Sequence, residues 1–138
     1  MSKVGEYIKS PPVTVNPDAT AEEVARIMAE KNIGSVVVVD SAGRPVAIVT
    51  ERDITRAVAA RKLSAKAIDV GTSSNLLTAS PEDDVYETLK KMRERRVRHL
   101  IVVDRDGRVK GVLSIRDFLE DKALKALGEK AWWPPPED

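Results

Sequence analysis

A four-residue motif occurs twice in this sequence, and the stretches before its two copies correspond position by position. Thr50-Glu51-Arg52-Asp53 recurs as Ser114-Ile115-Arg116-Asp117, 64 positions later. No gap is needed over roughly forty residues upstream of the motif, which is how an internal repeat shows itself. The chain is therefore a tandem repeat. The first-copy residues that meet an identical residue in the second copy are Thr14, Pro17, Glu23, Met28, Glu30, Val38, Val39, Asp40, Gly43, Arg44, Arg52 and Asp53.

Hydrophobic patterning predicts the same order of elements in each copy. In the first copy, apolar residues recur at helical spacing from about Ala21 to Lys31. The β-branched run Ser35 to Val39 is typical of a buried strand, and a turn leads into a second strand, Pro45 to Val49. With a short strand at residues 13–15 and a helix after Thr50, each copy is predicted as strand, helix, strand, strand, helix.

The segments outside these elements carry weaker signals. Pro11 and Pro12 disfavour a helix in the N-terminal segment, which we define as residues 1–12. The linker from Arg61 to Ser74 is predicted to be an ordered loop. The last helix should run from about Ile115 to Leu127 and end at Gly128. We therefore place the first repeat at residues 4–61, the second at residues 66–126, and a separate C-terminal tail at residues 128–138.

The bulk composition excludes several classes of protein. Lys and Arg total 23 against 22 Asp and Glu, so there is no broad basic footprint for nucleic acid or anionic membrane. The sequence has no cysteine, which excludes disulfides and thiolate metal sites. Its apolar runs are too short to span a bilayer. At 138 residues the two halves are small enough that they should share a core. These features predict a soluble, cytoplasmic protein.

The two repeats resemble the cystathionine-β-synthase-type domain, or CBS domain, two of which make a Bateman module. The resemblance covers roughly residues 4–126 and is carried by residues 33–53 and 97–117. It implies an α/β fold of the α+β type, with tandem β-α-β-β-α repeats, pseudo-twofold symmetry and two small mixed sheets packed together. Two departures are Ala47, where the family commonly has the glycine present here as Gly111, and Ile101, where it commonly has proline. The first departure would crowd one ligand cleft.

The resemblance implies adenine-nucleotide or S-adenosylmethionine binding in clefts between the repeats. An ionised carboxylate can accept a hydrogen bond from each hydroxyl of a ribose diol, which suits Asp53 and Asp117 to that role. Because each Asp lies in the first turn of a helix, a phosphate nearby would also be favoured. The predicted ribose-binding residues are Asp117, Ser114, Asp53 and Thr50. The predicted phosphate-binding residues are Arg98, His99, Arg116 and Arg52. The predicted adenine-cleft residues are Pro11, Pro12, Val13, Ile33, Gly34, Thr72, Leu77 and Val97.

These residues divide into two predicted clefts. The first would combine Arg98, His99, Ser114 and Asp117 with the region around Pro11 to Val13. The second would combine Thr50 and Asp53 with Thr72 and Leu77. Apolar walls for a purine are expected from Ile33, Val36, Val97 and Leu100. Since the first cleft alone carries the Arg-His pair, it is predicted to be the better phosphate site.

Structural roles compete with these assignments. Thr-x-x-Asp and Ser-x-x-Asp are also helix-capping patterns, which require no ligand. The pair Arg98-His99 can equally be a solvated strand start, and the basic residues between Lys90 and Arg98 alternate with acids as on an ordinary helix face. No metal site and no nucleic-acid motif is predicted. No nucleophile with an activating base is visible, so the sequence indicates no enzyme and no catalytic cofactor.

The sequence thus predicts a non-catalytic sensor that binds AMP or a related adenine nucleotide and signals to a partner. The resemblance implies a homodimer of such modules, with an unidentified protein partner in addition. One alternative is a protein-interaction module with degenerate clefts, anchored by Trp132 and Trp133. Another is a sensor of ATP, ADP or S-adenosylmethionine, because all of these present an adenosine diol. No nucleic-acid or membrane partner is expected.

Overall fold

The computed structural model describes residues 2–119, and the first repeat has the predicted elements. Helix α1 is capped by Thr20, whose Oγ1 accepts a hydrogen bond from the N–H of Glu23 at 3.1 Å, and it ends in a left-handed Asn32. Helix α2 begins directly after the third strand. The bounds are β1 Thr14–Val15, α1 Ala21–Lys31, β2 Ser35–Val39, β3 Pro45–Thr50 and α2 Glu51–Ala59.

The second repeat follows the same order. Asp84 caps helix α4 by accepting from the N–H of Glu87 at 3.0 Å, and the helix ends in a left-handed Arg96. The last helix, α5, begins at Ile115 as predicted and is described as far as residue 119. Its predicted end and the tail with Trp132 and Trp133 lie outside the described residues. The bounds are β4 Thr78–Ala79, α4 Val85–Arg95, β5 His99–Val103 and β6 Val109–Ser114.

Each repeat forms a three-stranded mixed sheet. In the order β1-β2-β3, β1 runs parallel to β2 and β2 runs antiparallel to β3; the order β4-β5-β6 repeats this pattern. The registers correspond, with Val36 opposite Val49 in one sheet and Leu100 opposite Leu113 in the other. Strand β2 of the first sheet contacts β6 of the second. The predicted fold class, two small mixed sheets packed together, is confirmed.

The turns of the two hairpins meet each other. Gly43 and Gly107 occupy the equivalent turn position with φ of 80° and 84°, a conformation that favours glycine. The N–H of Val109 donates to the carbonyl of Gly43 at 3.1 Å. Arg108 lies against Gly43, and Arg44 lies against Gly107. Because each arginine covers the other repeat's glycine, this contact is symmetric and supports the pseudo-twofold relation of the halves.

The segment that precedes the first strand of each repeat packs on the other repeat. Residues Val4–Tyr7 form a 3-10 helix, and Val4 is fully buried in the second repeat's core beside Met92 and Leu100. The linker contains a short helix, α3, at Ala67–Val70, and Ala67 is buried in the first repeat's core. This exchange ties the halves together, since neither core is complete without a segment from across the repeat boundary. It was not predicted from the sequence, which indicated only a loop in the linker.

Candidate functional site

An open cavity of about 890 Å³ lies where the two repeats and the N-terminal segment meet. That volume is within the range of about 300–1,000 Å³ usual for ligand pockets. Three separate parts of the chain build it, so no single motif forms the site. The lining residues are Ser10, Pro11, Pro12, Val13, Ile33, Gly34, Ser35, Thr50, Glu51, Arg52, Arg98, His99, Val112, Ser114, Ile115, Arg116 and Asp117.

Asp117 presents a carboxylate to this cavity at the start of α5. Its Oδ2 accepts hydrogen bonds from the N–H of Ser114 at 2.7 Å and from Ser114 Oγ at 3.3 Å. These bonds fix the carboxylate while the residue stays exposed. The side chain therefore caps the helix and still faces the cavity, which shows that the capping and ligand-binding interpretations of this motif are compatible.

Asp53 is placed differently although the sequence motif is the same. Its Oδ2 accepts from the N–H of Thr50 at 2.9 Å and from Thr50 Oγ1 at 3.2 Å, and its own N–H donates back to Oγ1 at 3.4 Å. These bonds form a reciprocal capping box, and the residue is buried, at 7% exposure. Asp53 lines neither this cavity nor the smaller one described below, whereas Thr50 lines both. The two aspartates are therefore not equivalent.

Arg98 and His99 stand at the beginning of β5, at the junction of the two cavities. Burial lowers the pKa of His99 below its ordinary value, and the charge of Arg98 acts in the same direction. Asp117, Asp53 and Glu51 oppose the shift. The imidazole thus lies within the fields of carboxylates from both repeats, where a bound anion would favour its protonated form.

This lowered pKa predicts how stability depends on pH. Below the ordinary histidine pKa of about 6.5 the unfolded chain binds a proton that the folded chain resists, so the free energy of unfolding falls as pH decreases through that window. We expect urea denaturation to show lower stability at pH 5.5 than at pH 7.5, with a smaller difference in His99→Gln. Because His99 is the chain's one histidine, an equal pH dependence in both proteins would contradict this assignment.

The large cavity also has uncharged lining residues from remote segments. Pro11, Pro12 and Val13, which the sequence assigns to the first cleft, line it, and so do Ile33 and Gly34. The other residues expected to form purine walls do not line the large cavity. Val97 lines the smaller cavity, whereas Val36 and Leu100 are completely buried in the two cores and line neither cavity. Those two side chains support the sheets and do not touch the cavities.

A second, smaller cavity of about 140 Å³ adjoins the first. It brings together Thr50, Thr72 and Leu77 of the predicted second cleft, without Asp53. Thr72 is held there by two backbone hydrogen bonds to Ile48, at 2.8 and 2.9 Å. The volume falls below that of usual ligand pockets. The remaining lining residues are Asn75, Leu76, Val97, Arg98, His99 and Ile101.

The departures from the family pattern have clear positions. Ala47 is fully buried in the first repeat's core and lines neither cavity, so its methyl group fills core space. At Gly111, an added Cβ would lie 3.0 Å from the side chain of Ile8. Glycine there lets the N-terminal segment approach β6. Ile101 lines the smaller cavity and is 1% exposed, so its bulk reduces that cavity.

Sequence reasoning missed several lining residues of the large cavity. Glu51 and Ile115 lie inside the repeated motif, directly after Thr50 and Ser114, and their position was the available signal. Val112 faces the cavity from β6, and no pattern in the sequence marked it. Within residues 2–119 no cluster of three metal-ligating side chains is found, and no helix there is long and apolar enough to cross a membrane.

Solved structures have a similar fold. A CBS domain protein from Pyrobaculum aerophilum, complexed with AMP, is 38% identical, with a TM-score of 0.80 over 90% of this chain and 95% of that one. The CBS domain pair of protein MJ0100, complexed with 5′-methylthioadenosine and S-adenosyl-L-methionine, is 28% identical, with a TM-score of 0.81 over 91% of this chain and 98% of that one.

Sequence comparisons agree. Inosine-5′-monophosphate dehydrogenase of Aquifex aeolicus is 33% identical over 80% of this chain, which spans only 22% of that enzyme. The CBS domain family model matches residues 4–60 and again residues 66–123. The chain therefore belongs to the CBS domain family, and it carries two copies of the domain.

Proposed function

We propose that this protein is a non-catalytic sensor that binds AMP in the large cavity. The observation that carries the proposal is the composition of the cavity, which combines the exposed Asp117 carboxylate, three arginines and uncharged residues such as Pro11, Pro12 and Val13, drawn from both repeats and the N-terminal segment. A ribose, a phosphate and a purine each require one of these surfaces. The pairing of charge with an apolar wall is that of small-molecule sites in general.

Each part of AMP has a proposed partner. Asp117 would accept hydrogen bonds from the ribose hydroxyls, because its carboxylate is already oriented by Ser114. Arg98 and His99 would hold the phosphate, with Arg52 and Arg116 adding positive charge to the same cavity. Pro11, Pro12 and Val13, uncharged residues that line the same cavity, would cover one face of the adenine.

We propose one nucleotide per chain. The smaller cavity, at about 140 Å³, offers little room for a nucleoside, and Asp53 is buried in its own helix cap. Two of the smaller cavity's lining residues, Arg98 and His99, also serve the larger one. A phosphate bound by these residues would draw them toward the large cavity, which further disfavours a second ligand.

Signalling would follow from the composite nature of the site. A ligand that contacts both repeats and the N-terminal segment favours the arrangement of these three parts that it binds most tightly. The ratio of its affinities for two arrangements sets how far it shifts their populations. The proposed readout is a change in the surface offered to a second copy of the chain or to a protein partner. The Ser114 hydroxyl in the cavity donates its hydrogen bond to the Asp117 carboxylate at 3.3 Å, an arrangement that orients the carboxylate for binding.

S-adenosylmethionine is the second candidate ligand. It carries the same adenosine group, and the MJ0100 domain pair, 28% identical to this chain, is complexed with it and with 5′-methylthioadenosine. The Pyrobaculum protein complexed with AMP is more similar, at 38% identity. Three arginines in the cavity also suit a phosphate better than a sulfonium cation.

Calorimetric titration of the nucleotide-stripped protein tests this proposal. We expect heat of binding with AMP, weaker binding with adenosine because it lacks the phosphate, and weaker binding with S-adenosylmethionine. Tighter binding of S-adenosylmethionine than of AMP would favour the second candidate. A folded protein that binds none of the three would leave the interaction module as the remaining alternative.

A further inference from the structure

One side chain in the large cavity opposes the charge of the proposed ligand. Three arginines, Arg52, Arg98 and Arg116, make the cavity attractive to phosphate, yet Glu51 lines it as well. Asp117 has a proposed partner in the ribose, whereas Glu51 has none in AMP. Within residues 2–119 the Glu51 carboxylate belongs to none of the ion pairs. Its charge therefore acts on whatever occupies the cavity.

The position of Glu51 is set by its surroundings. It is the first residue of α2, and its N–H donates to the carbonyl of Gly34 at 3.2 Å. A Cβ added at Gly34 would lie 3.2 Å from Glu51 Oε1, so the carboxylate rests against the Gly34 backbone at the cavity wall. The field of Glu51 also reaches His99, in the direction that raises the histidine pKa. The carboxylate thus lies at the wall of the cavity that Arg98 and His99 also line.

The second repeat lacks this acid. Sixty-four positions on, Glu51 corresponds to Ile115 and Gly34 corresponds to Arg98, and all four residues line the large cavity. A glutamate is therefore not needed at the position where the helix begins within this motif. At these two pairs of equivalent positions, the first repeat contributes the negative charge of Glu51 to the cavity and the second contributes the positive charge of Arg98.

We propose that Glu51 is a specificity-determining residue that limits the ligand to a single phosphate. This inference rests on the proposed function. Each further phosphate would add negative charge to a cavity that already holds the Glu51 carboxylate, and like charges at close range repel each other. The arginines suffice for one phosphate, while Glu51 disfavours the diphosphate and the triphosphate.

The test compares AMP and ATP by calorimetry without Mg²⁺, which keeps the full charge of ATP. Wild-type protein should bind AMP more tightly than ATP. In Glu51→Gln, which keeps the shape of the side chain, the ratio of the ATP to the AMP dissociation constant should fall by about tenfold. The control is Glu23→Gln, another exposed first-turn acid, in α1, which lines neither cavity; its ratio should match wild type.

Two results would overturn the proposed role of Glu51 without contradicting the proposed binding of AMP. One is an unchanged ratio in Glu51→Gln while AMP still binds, and the other is wild-type protein that binds ATP more tightly than AMP. If wild-type protein binds neither nucleotide, the proposed function and the role of Glu51 both fail. Thermal melting of Glu51→Gln shows that a changed ratio does not come from unfolding.

Discussion

Asp117→Ala is expected to weaken AMP binding by roughly 30- to 150-fold. The variant removes the carboxylate proposed to accept hydrogen bonds from both ribose hydroxyls, and such charge-assisted bonds contribute about 2–3 kcal/mol in total. Asp117 is exposed, so little core packing changes. Calorimetry measures the affinity, and thermal melting measures the accompanying loss of the hydrogen bonds from Ser114.

Asp53→Ala is the matched control, because it makes the same substitution at the equivalent position of the other repeat. Asp53 forms a reciprocal capping box with Thr50 and lines neither cavity. We therefore expect stability to fall by about 1–2 kcal/mol and AMP affinity to change by less than about threefold. A larger loss of affinity in Asp53→Ala than in Asp117→Ala would place the principal site in the predicted second cleft, which contains Asp53.

Val4→Asp is expected to destabilise the protein by at least about 3 kcal/mol, because it buries an unpaired charge. Val4 is fully buried among second-repeat residues, and the neighbouring Tyr7 ring packs against Phe118 with the ring centroids 4.9 Å apart. The N-terminal segment thereby completes a core that lies more than seventy residues away in sequence.

Hydrogen exchange shows which core is affected. In Val4→Asp, the protection of amide hydrogens should fall first in α4 and β5 of the second repeat, although the substitution lies before β1 of the first repeat. Lys9→Asp introduces the same residue at an exposed position of that segment and should leave stability within about 0.5 kcal/mol of wild type. Loss of protection confined to the first repeat would contradict the exchange of segments between the cores.

Most of the fold could be predicted because local signals agree with the tertiary structure. Helix α1 has the predicted bounds, Ala21–Lys31, because its apolar face, its capping threonine and its left-handed end all lie within the helix or next to it. The run Ser35–Val39 is a strand buried from Val36 to Val38, as a continuous β-branched sequence indicates.

The packing of the N-terminal segment on the second repeat, and of the linker on the first, could not be predicted in the same way. Val4 and Ala67 lie in helices of four residues, too short to show a hydrophobic period. Their partners are in the other repeat, and only tertiary packing identifies them. The linker was expected to be a loop for this reason, whereas α3 packs on the first repeat's core.

The difference between the two aspartates also lay beyond the sequence. Both motifs satisfy the same spacing, yet Asp53 is buried in its cap and Asp117 remains exposed at the large cavity. The surrounding elements decide this, since a capping motif specifies bonds within the first turn and says nothing about what covers it. The place of Arg98 and His99 in the site was easier to predict, because they differ from their first-repeat counterparts Gly34 and Ser35.

The stoichiometry of AMP binding tests the central claim most directly. Calorimetric titration of the nucleotide-stripped wild-type protein should give one AMP per chain, in keeping with one cavity of about 890 Å³ that holds an exposed Asp117. Two equivalent AMP molecules per chain would show that the smaller cavity opens to an equal site. No heat from a protein shown to be folded by circular dichroism would contradict AMP sensing itself.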